Sequence, residues 1–157
     1  MGNRLRHARI EVATPTVRVR NFQRTVSVNV VDLEEFAMRA VLRCRQIRKR
    51  VATDLMKLHE IFILLVSDRR ISSLHREFLG KTGPTDVLTF QHGEILISVE
   101  RAQDHARQFG NSLNEELKLY IVHGLLHLHG FDDRQKSDAR KMEVLQQRIL
   151  QSASRLN

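Results

Sequence analysis

The sequence predicts an α+β sandwich in which helices flank a small mixed β-sheet of about four strands. Short apolar segments with strand-like patterns occur between longer segments whose apolar residues recur at helical spacing. Turn residues separate these segments, and 157 residues can bury one ordinary core. Strands and helices in this arrangement are typical of layered α/β and α+β folds. We expect one domain over residues 15–157, after a basic N-terminal extension over residues 1–14 whose order the sequence leaves open.

The first half of the chain predicts two strands and a long helix. Residues 17–20 alternate apolar and basic side chains, which indicates a strand with one wet face. From Asp32 to about Arg50 the apolar residues recur at helical spacing, and Asp32 is a suitable N-cap. The continuous apolar run of residues 61–66 predicts a strand that is buried on both faces.

The middle of the chain predicts a short helix, two strands and a second helix. Residues 71–78 have the helical pattern, and glycines then interrupt the chain. Residues 87–90 and 95–99 are apolar segments on either side of a turn, as in two strands. Residues 100–109 predict the next helix, which Gly110 ends because glycine readily adopts the left-handed conformation found at helix ends.

Two further helices complete the prediction. Ser112 and Glu115 have the spacing of a capping box, and they open a helix that stops at Gly130. The histidines of a candidate metal site lie near the end of this helix. A last helix is expected from about Ser137 to Leu150.

The charge of the chain points to a polyanionic partner. Lysine and arginine number 26 against 18 aspartates and glutamates, which gives a net charge of +8. Residues 39–50 hold six basic side chains and no acidic one. This excess favours nucleic acid as the partner, with a merely solvated surface as the alternative. Aromatic residues make up only 5% of the chain, so base stacking is not expected to dominate binding.

The composition also excludes several classes of protein. The longest apolar run, residues 61–66, is far too short to span a bilayer, so no membrane protein is expected. Cys44 is the single cysteine, which excludes an internal disulfide and a four-cysteine zinc site, and it is expected in the core. The N-terminus lacks the apolar run of a secretory signal, and we expect a cytoplasmic protein.

The strongest functional signal is a pair of histidines close to a glycine. His123 and His127 lie four residues apart on a predicted helix, so their imidazoles share one face. Gly130 ends the helix and lets the chain fold back, which makes Asp132 or Asp133 a candidate third ligand. Three protein ligands and one open position form the layout of a catalytic zinc site. Histidines with only a surface or core role are the alternative.

Two positions near the pair restrict its chemistry. His129 lies about 200° around the helix from His127, so we expect a structural role for it. Gly124 occupies the position at which His-Glu-x-x-His zinc peptidases carry their glutamate base. A peptidase would therefore lack its proton acceptor, whereas an open metal site in a basic protein suits phosphodiester hydrolysis.

Residues 123–132 resemble the signature of the YbeY family, His-Gly-x-Leu-His-Leu-x-Gly-[Tyr/Phe]-Asp-His. Upstream, residues 78–81 and 84–90 are similar to the family's Tyr-Arg-Gly-Lys and Pro-Thr-Asp-Val-Leu-Ser-Phe segments. Residues 93–98 resemble its Gly-Asp-Ile strand. The resemblance covers about residues 17–150, which is nearly all of the chain except the basic extension.

The resemblance implies a metal-dependent endoribonuclease that is specific for single-stranded RNA. Its substrate would be small-subunit ribosomal RNA at a late stage of 3′-end processing, with the ribosome as partner and a part in ribosome quality control. It also implies one metal ion per chain, zinc or another divalent transition metal, with His123, His127 and Asp133 as the ligands.

Two positions depart from the family pattern. Asp133 stands where the family usually has a histidine, although aspartate can also ligate zinc. Leu79 stands where the family has an arginine thought to act at the RNA site. Arg76, about one helical turn earlier, is a weak catalytic candidate in its place, with a solvated surface charge as the alternative. Lys81, in a glycine-rich loop, is a second weak candidate, as a point charge that holds the RNA backbone.

Two other functions remain open. The first is a ribosome-associated RNA-binding factor with a structural metal and weak or no cleavage, which the leucine at position 79 favours. The second is a metallopeptidase, which Gly124 disfavours.

Overall fold

The computed structural model describes residues 13–80 and 85–155. Strands and helices follow one another throughout this part of the chain. The strands are β1 (Thr16–Asn21), β2 (Glu60–Val66), β3 (Val87–Phe90) and β4 (Glu94–Ser98). The helices are α1 (Val30–Arg45), α2 (Asp54–Lys57), α3 (Asp68–Leu79), α4 (Val99–Phe109), α5 (Leu113–Leu128) and α6 (Lys136–Ser154).

The strands form one mixed sheet in the order β1-β2-β4-β3. Strands β1, β2 and β4 are parallel, and Ile63 of β2 lies opposite Val19 on one side and Ile95 on the other. Strand β3 is antiparallel to β4 because only the tight turn of residues 91–93 separates the two. The predicted mixed sheet of four strands flanked by helices is confirmed.

The main core lies between one face of this sheet and the helices α1 and α5. Ile61, Ile63 and Leu65 alternate along β2 and are fully buried on that face. The other face of β2 is only half-buried at Phe62 and Leu64, so burial on both faces is a partly wrong prediction. A smaller apolar cluster beneath α3 covers part of this second face, and its buried members are Val66, Ile71, Leu88 and Leu96.

Helix α1 differs from its predicted extent at both ends. Asn29 is the N-cap, because its side chain accepts a hydrogen bond from the N–H of Asp32 at 3.1 Å. Asp32 therefore lies in the first turn and is not the cap. The helix ends at Arg45 rather than near Arg50, because the next two backbone N–H groups bond to carbonyls three residues back and close the last turn. The short helix α2 was not predicted.

The later helices agree with the prediction apart from small shifts of their ends. Helix α4 ends at Gly110, which has a φ of 72°. Helix α5 opens on the capping box of Ser112 and Glu115, in which both reciprocal hydrogen bonds are present. Helix α6 continues past Leu150 to Ser154. Cys44 is buried in the core as expected.

The predicted basic extension, residues 1–14, lies outside the described residues up to residue 12. The prediction of one domain over residues 15–157 stays a prediction. None of the described helices combines the length and the apolar character needed to cross a membrane.

Candidate metal centre

Helix α5 carries His123 and His127 on one face, one turn apart. Its first turn is fixed by the capping box, and the helix packs against the sheet and against α1, α4 and α6. The Nε2 atoms of the two rings lie 3.0 Å apart. Each side chain keeps 28% of its surface exposed, so solutes can reach the pair.

A glycine ends α5 and folds the chain back toward the histidine pair. Gly130 has a φ of 83°, in the left-handed region. Its N–H bonds to the carbonyl of His127 at 3.0 Å. The N–H of Phe131 bonds to the carbonyl of Leu126 at 3.0 Å, which completes a Schellman motif. The return of the chain after the helix therefore agrees with the sequence prediction.

The returning chain brings one of the two candidate aspartates to the histidines. The carboxylate oxygens of Asp133 lie 3.6 Å from Nε2 of His123 and 3.8 Å from Nε2 of His127. One potential ligand atom from each of these three residues lies within 4.8 Å of the others. The carboxylate of Asp132 instead binds Arg134, whose Nε lies 2.6 Å away. The Arg134 hydrogen bond lowers the pKa of Asp132 to about 2.

Hydrogen bonds fix which nitrogen of each ring is free. Nδ1 of His123 faces the amide oxygen of Gln146 on α6, and Nδ1 of His127 faces the Phe131 carbonyl at 3.0 Å. Both partner atoms only accept hydrogen bonds, so each Nδ1 carries the proton and each Nε2 of a neutral ring presents a lone pair. Burial lowers the pKa of His123, which favours its neutral form.

Two facing lone pairs require a positive charge between them. At a separation of 3.0 Å the Nε2 atoms repel each other unless a proton or a metal ion lies between them. The Asp133 carboxylate on the same side favours a cation further. The donor set of His123, His127 and Asp133 therefore fits a bound cation, and the outer hydrogen bonds resemble those that orient histidine ligands in metalloproteins.

The histidine pair opens onto a cleft of about 430 Å³. Besides the three candidate ligands, its walls consist of Thr85, Asp86, Val87, Leu119, Tyr120 and Gln146. A second hollow of about 400 Å³ includes His75, Leu79 and Arg134. The two hollows share Thr85, Val87, His127 and Asp133 among their lining residues, so they adjoin each other at the candidate metal centre, and together they are called the groove below.

A polar cluster of Tyr120, His105 and Asp86 borders the first cleft, which Tyr120 and Asp86 line. The hydroxyl of Tyr120 on α5 hydrogen-bonds with Nδ1 of His105 on α4. A carboxylate oxygen of Asp86 lies 3.9 Å from the same nitrogen. Burial, and after it the charge of Asp86, raises the pKa of Tyr120 above its ordinary value, so the phenol keeps its proton.

The other candidate residues lie apart from the histidine pair. His129 is fully buried, and its ring nitrogens contact Oγ1 of Thr53 and the carbonyl of Ile47, each at 2.8 Å. This agrees with the structural role that helical spacing predicts. Arg76 is exposed on α3 and is not among the described residues that line the groove. Lys81 lies outside the described residues.

The residues that support the centre from other helices were not predicted from the sequence. Gln146 meets His123 across 23 residues of sequence, and Tyr120 meets His105 from a neighbouring helix. A helical pattern indicates which face is buried, but it does not pair polar side chains between helices. The helical pattern could have indicated Gln146, because this residue lies one turn after the inward-facing Met142 and therefore on the same face of the helix.

Comparison with known proteins places the chain in a family. The family model described as Endoribonuclease YbeY matches residues 18–154. The curated Endoribonuclease YbeY of Petrotoga mobilis is 34% identical over 131 residues, which are 77% of this chain and 91% of that protein. The corresponding protein of an Anaeromyxobacter species is 43% identical over 112 residues. That alignment covers 62% of this chain and 58% of the relative, which is less than two thirds of the relative's length.

A solved structure has the same fold. The solution structure of a Thermotoga maritima protein superimposes with a TM-score of 0.60 at 26% sequence identity. The match covers 87% of this chain and 88% of that chain. The extent of the family-model match and the similarity to the Petrotoga protein show that the chain belongs to the YbeY family.

Proposed function

We propose that this protein is a metal-dependent endoribonuclease that cleaves single-stranded RNA. The observation that carries the proposal is the convergence of His123, His127 and Asp133 on one point that opens onto a groove. The endoribonuclease name of the matching family and of its curated members supports the reaction class. The net charge of +8 supports a polyanionic substrate.

We propose one zinc ion per chain as the cofactor. Two imidazole nitrogens and one carboxylate, with a cleft beside them for a fourth ligand, correspond to the three protein ligands and open position of catalytic zinc sites. Another divalent transition metal is the alternative, because a carboxylate ligand also suits harder ions such as manganese. When bound, the ion would supply a Lewis acid for a phosphoryl oxygen and would lower the pKa of a water molecule.

The residues of the chain orient this centre. The Gln146 amide and the Phe131 carbonyl hold the two rings so that both Nε2 atoms face Asp133. The groove continues on both sides of the centre, which favours an extended strand over a compact small molecule. We therefore expect a single strand to cross the centre with its backbone along the groove.

A peptidase reaction has less support. A Cβ at Gly124 would come within 2.6 Å of Cγ2 of Ile95, so the backbone of α5 lies directly against β4 at this position. A glutamate base of the His-Glu-x-x-His type has no room there. The absence of that base leaves phosphodiester hydrolysis as the better use of the centre.

We propose small-subunit ribosomal RNA as the substrate, at a late stage of 3′-end processing, with the ribosome as partner. A part in ribosome quality control and a cytoplasmic location belong to the same proposal. The family resemblance supports these details, and the basic charge is compatible with them. The second candidate is a ribosome-associated RNA-binding factor with a structural metal, because Leu79, an uncharged residue, lines the groove where the family pattern has an arginine.

Single-turnover cleavage of a single-stranded RNA tests the proposal. The metal-loaded protein should cleave, and a chelator should abolish cleavage. His123→Ala should lose both bound metal and activity, whereas the matched control His92→Ala, at the exposed β3–β4 turn, should keep both. RNA binding with retained metal and no cleavage would favour the binding factor over the nuclease.

A further inference from the structure

The cluster of Tyr120, His105 and Asp86 borders the cleft but contributes no atom to the candidate metal centre. Tyr120 is only 7% exposed, and it lines the cleft together with His123. Its hydroxyl is held by His105 from α4, a helix that has no ligand in the centre. Buried tyrosines usually have a hydrogen-bond partner, and what distinguishes Tyr120 is that it also lines the cleft beside His123.

The cluster determines where the hydroxyl proton of Tyr120 points. The Asp86 carboxylate lies 3.9 Å from Nδ1 of His105, and a carboxylate that faces one nitrogen of a neutral imidazole favours the tautomer with its N–H on that nitrogen. Nδ1–H of His105 therefore donates to the Tyr120 oxygen. The tyrosine keeps its own proton because burial raises its pKa, and that proton is left to be donated into the cleft.

The cleft is poor in other donors for a phosphate. None of the described residues that line it is lysine or arginine. The hydroxyl of Thr85 is already donated to the carbonyl of Val87 at 3.2 Å. The Gln146 oxygen accepts a hydrogen bond from His123. The amide nitrogen of Gln146 and the Tyr120 hydroxyl therefore remain as neutral side-chain donors among the described residues of the cleft wall.

We propose that Tyr120 binds a phosphate oxygen of the RNA backbone through its hydroxyl proton, and that His105 positions this hydroxyl. This inference rests on the proposed function, because it names a substrate contact in the same cleft. Tyr120 is a substrate-binding residue, whereas His105 acts through Tyr120. A hydroxyl donor that does not read a base edge is compatible with binding that is independent of RNA sequence.

Binding of an uncleavable single strand tests the contact separately from catalysis. The probe is a fluorescent 2′-O-methyl oligoribonucleotide, titrated with metal-loaded protein and followed by anisotropy. Tyr120→Phe removes only the hydroxyl and should weaken binding about 10-fold, the usual effect of losing a hydrogen bond to a charged group. Its metal content should match that of the unaltered protein, and it should stay fully folded at the assay temperature, although its melting temperature should fall slightly because His105 loses its partner. Equal metal content and an intact fold would exclude a merely structural effect.

Two substitutions of His105 test its positioning role. In His105→Asn the amide nitrogen takes the place of Nδ1 as a donor, so binding should stay within about twofold. His105→Leu removes the donor and should weaken binding about as much as Tyr120→Phe. His92→Asn is the matched histidine control, because His92 lies on the exposed β3–β4 turn, and its binding should not change.

The outcomes separate this inference from the proposed function. Equal binding by Tyr120→Phe and the unaltered protein overturns the phosphate contact, whether or not RNA is cleaved. Equal losses in His105→Asn and His105→Leu overturn the positioning role. If the unaltered protein fails to cleave RNA while its binding still depends on Tyr120 and on a donor at position 105, the nuclease reaction is wrong and the contact stands.

Discussion

His123 and His127 are held by acceptors that differ in how their positions are fixed. The N–H of Phe131 closes the Schellman motif and fixes the backbone of this residue, so its carbonyl is placed by local structure. Gln146 lies on α6, so the orientation of His123 depends on how that helix packs against α5. Removing such an outer partner typically lowers metal affinity 10–100-fold. Metal binding at this centre is therefore coupled to the packing of two helices.

Asp133 and Asp132 are adjacent, and only the first faces the histidines. Asp133→Ala should lower metal affinity by at least about 10-fold, because removing a ligand costs at least as much as removing an outer partner. Asp132→Ala should leave metal affinity unchanged, since its carboxylate is committed to Arg134 in an exposed position. Metal content after dialysis against a competing chelator measures both effects.

A second substitution of Asp133 tests how the charge of the third ligand affects the centre. Asp133→His keeps three ligands and removes one negative charge from the centre, so it should retain the metal. It should also cleave RNA at least as fast as the unaltered protein, because a more positive centre attracts phosphate more strongly. Loss of metal from Asp132→Ala but not from Asp133→Ala would show that Asp132, and not Asp133, is the third ligand.

His129 should affect stability and its pH dependence rather than metal content. Burial lowers the pKa of this histidine below its ordinary value of 6.5, so the unfolded chain binds its proton more readily than the folded one. Its contribution to the free energy of unfolding is therefore complete above about pH 6.5 and is lost as the pH falls. His129→Ala should lower that free energy by about 2 kcal/mol at pH 7.5, because Thr53 and the Ile47 carbonyl lose their partner.

Urea unfolding at pH 7.5 and pH 5.5 in the presence of chelator measures both parts of this prediction. The loss of stability on acidification should be smaller in His129→Ala than in the unaltered protein. His123, whose pKa burial also lowers, is present in both proteins and cancels in the comparison. A large loss of metal from His129→Ala in the absence of chelator would contradict the structural role.

Helix α5 lies against β4 at the same turn that carries the first histidine. Gly124→Ala would put a Cβ 2.6 Å from Cγ2 and 3.0 Å from Cδ1 of Ile95. Overpacking of this kind costs about 1–3 kcal/mol, whereas alanine gains about 1 kcal/mol over glycine in a helix. The free energy of unfolding should therefore fall by about 1 kcal/mol.

A double-mutant cycle with Ile95→Ala identifies the cause. That variant alone should cost about 2–5 kcal/mol, because it empties part of the core. With the space vacated, adding Gly124→Ala should become neutral or stabilising, so the sign of its effect changes. An unchanged cost of Gly124→Ala in both backgrounds would mean that the close approach to Ile95 is not responsible.

The elements were predictable where the signal is local. The capping box of Ser112 and Glu115 and the glycine after α4 depend on residues a few positions apart, and the sequence places them correctly. The start of α1 was missed because Asn29 and Asp32 are both good caps, and only the folded backbone selects between them. The contacts of Gln146 and Tyr120 could not be predicted from the sequence, because they depend on how helices distant in sequence pack together.

At the scale of the whole molecule, the basic residues after α1 divide into two groups. Lys49 packs over the ring of Phe131 at 4.1 Å from its centroid, so it supports the turn that follows α5. Arg48 and Arg50 are exposed on either side of it. This loop therefore places two exposed positive charges near the segment that leads to Asp133, whereas the cleft itself is lined by neutral and acidic groups among the described residues.

RNA affinity should consequently depend strongly on salt, with part of that dependence coming from this loop. Each phosphate contact to a single strand contributes about −0.7 to the slope of log K against log salt concentration, so three contacts predict a slope of about −2. Replacing Arg48 and Arg50 by glutamine should make that slope shallower by about 1.4 if each contacts one phosphate. Glutamine at Arg69 and Arg70, exposed at the start of α3, changes the net charge equally and should leave the slope nearly unchanged.

Anisotropy titrations of the oligoribonucleotide over a series of salt concentrations give the slopes. A flat dependence would contradict electrostatic binding, and equal changes for the two pairs would show that the net charge of +8, rather than the loop, attracts the RNA.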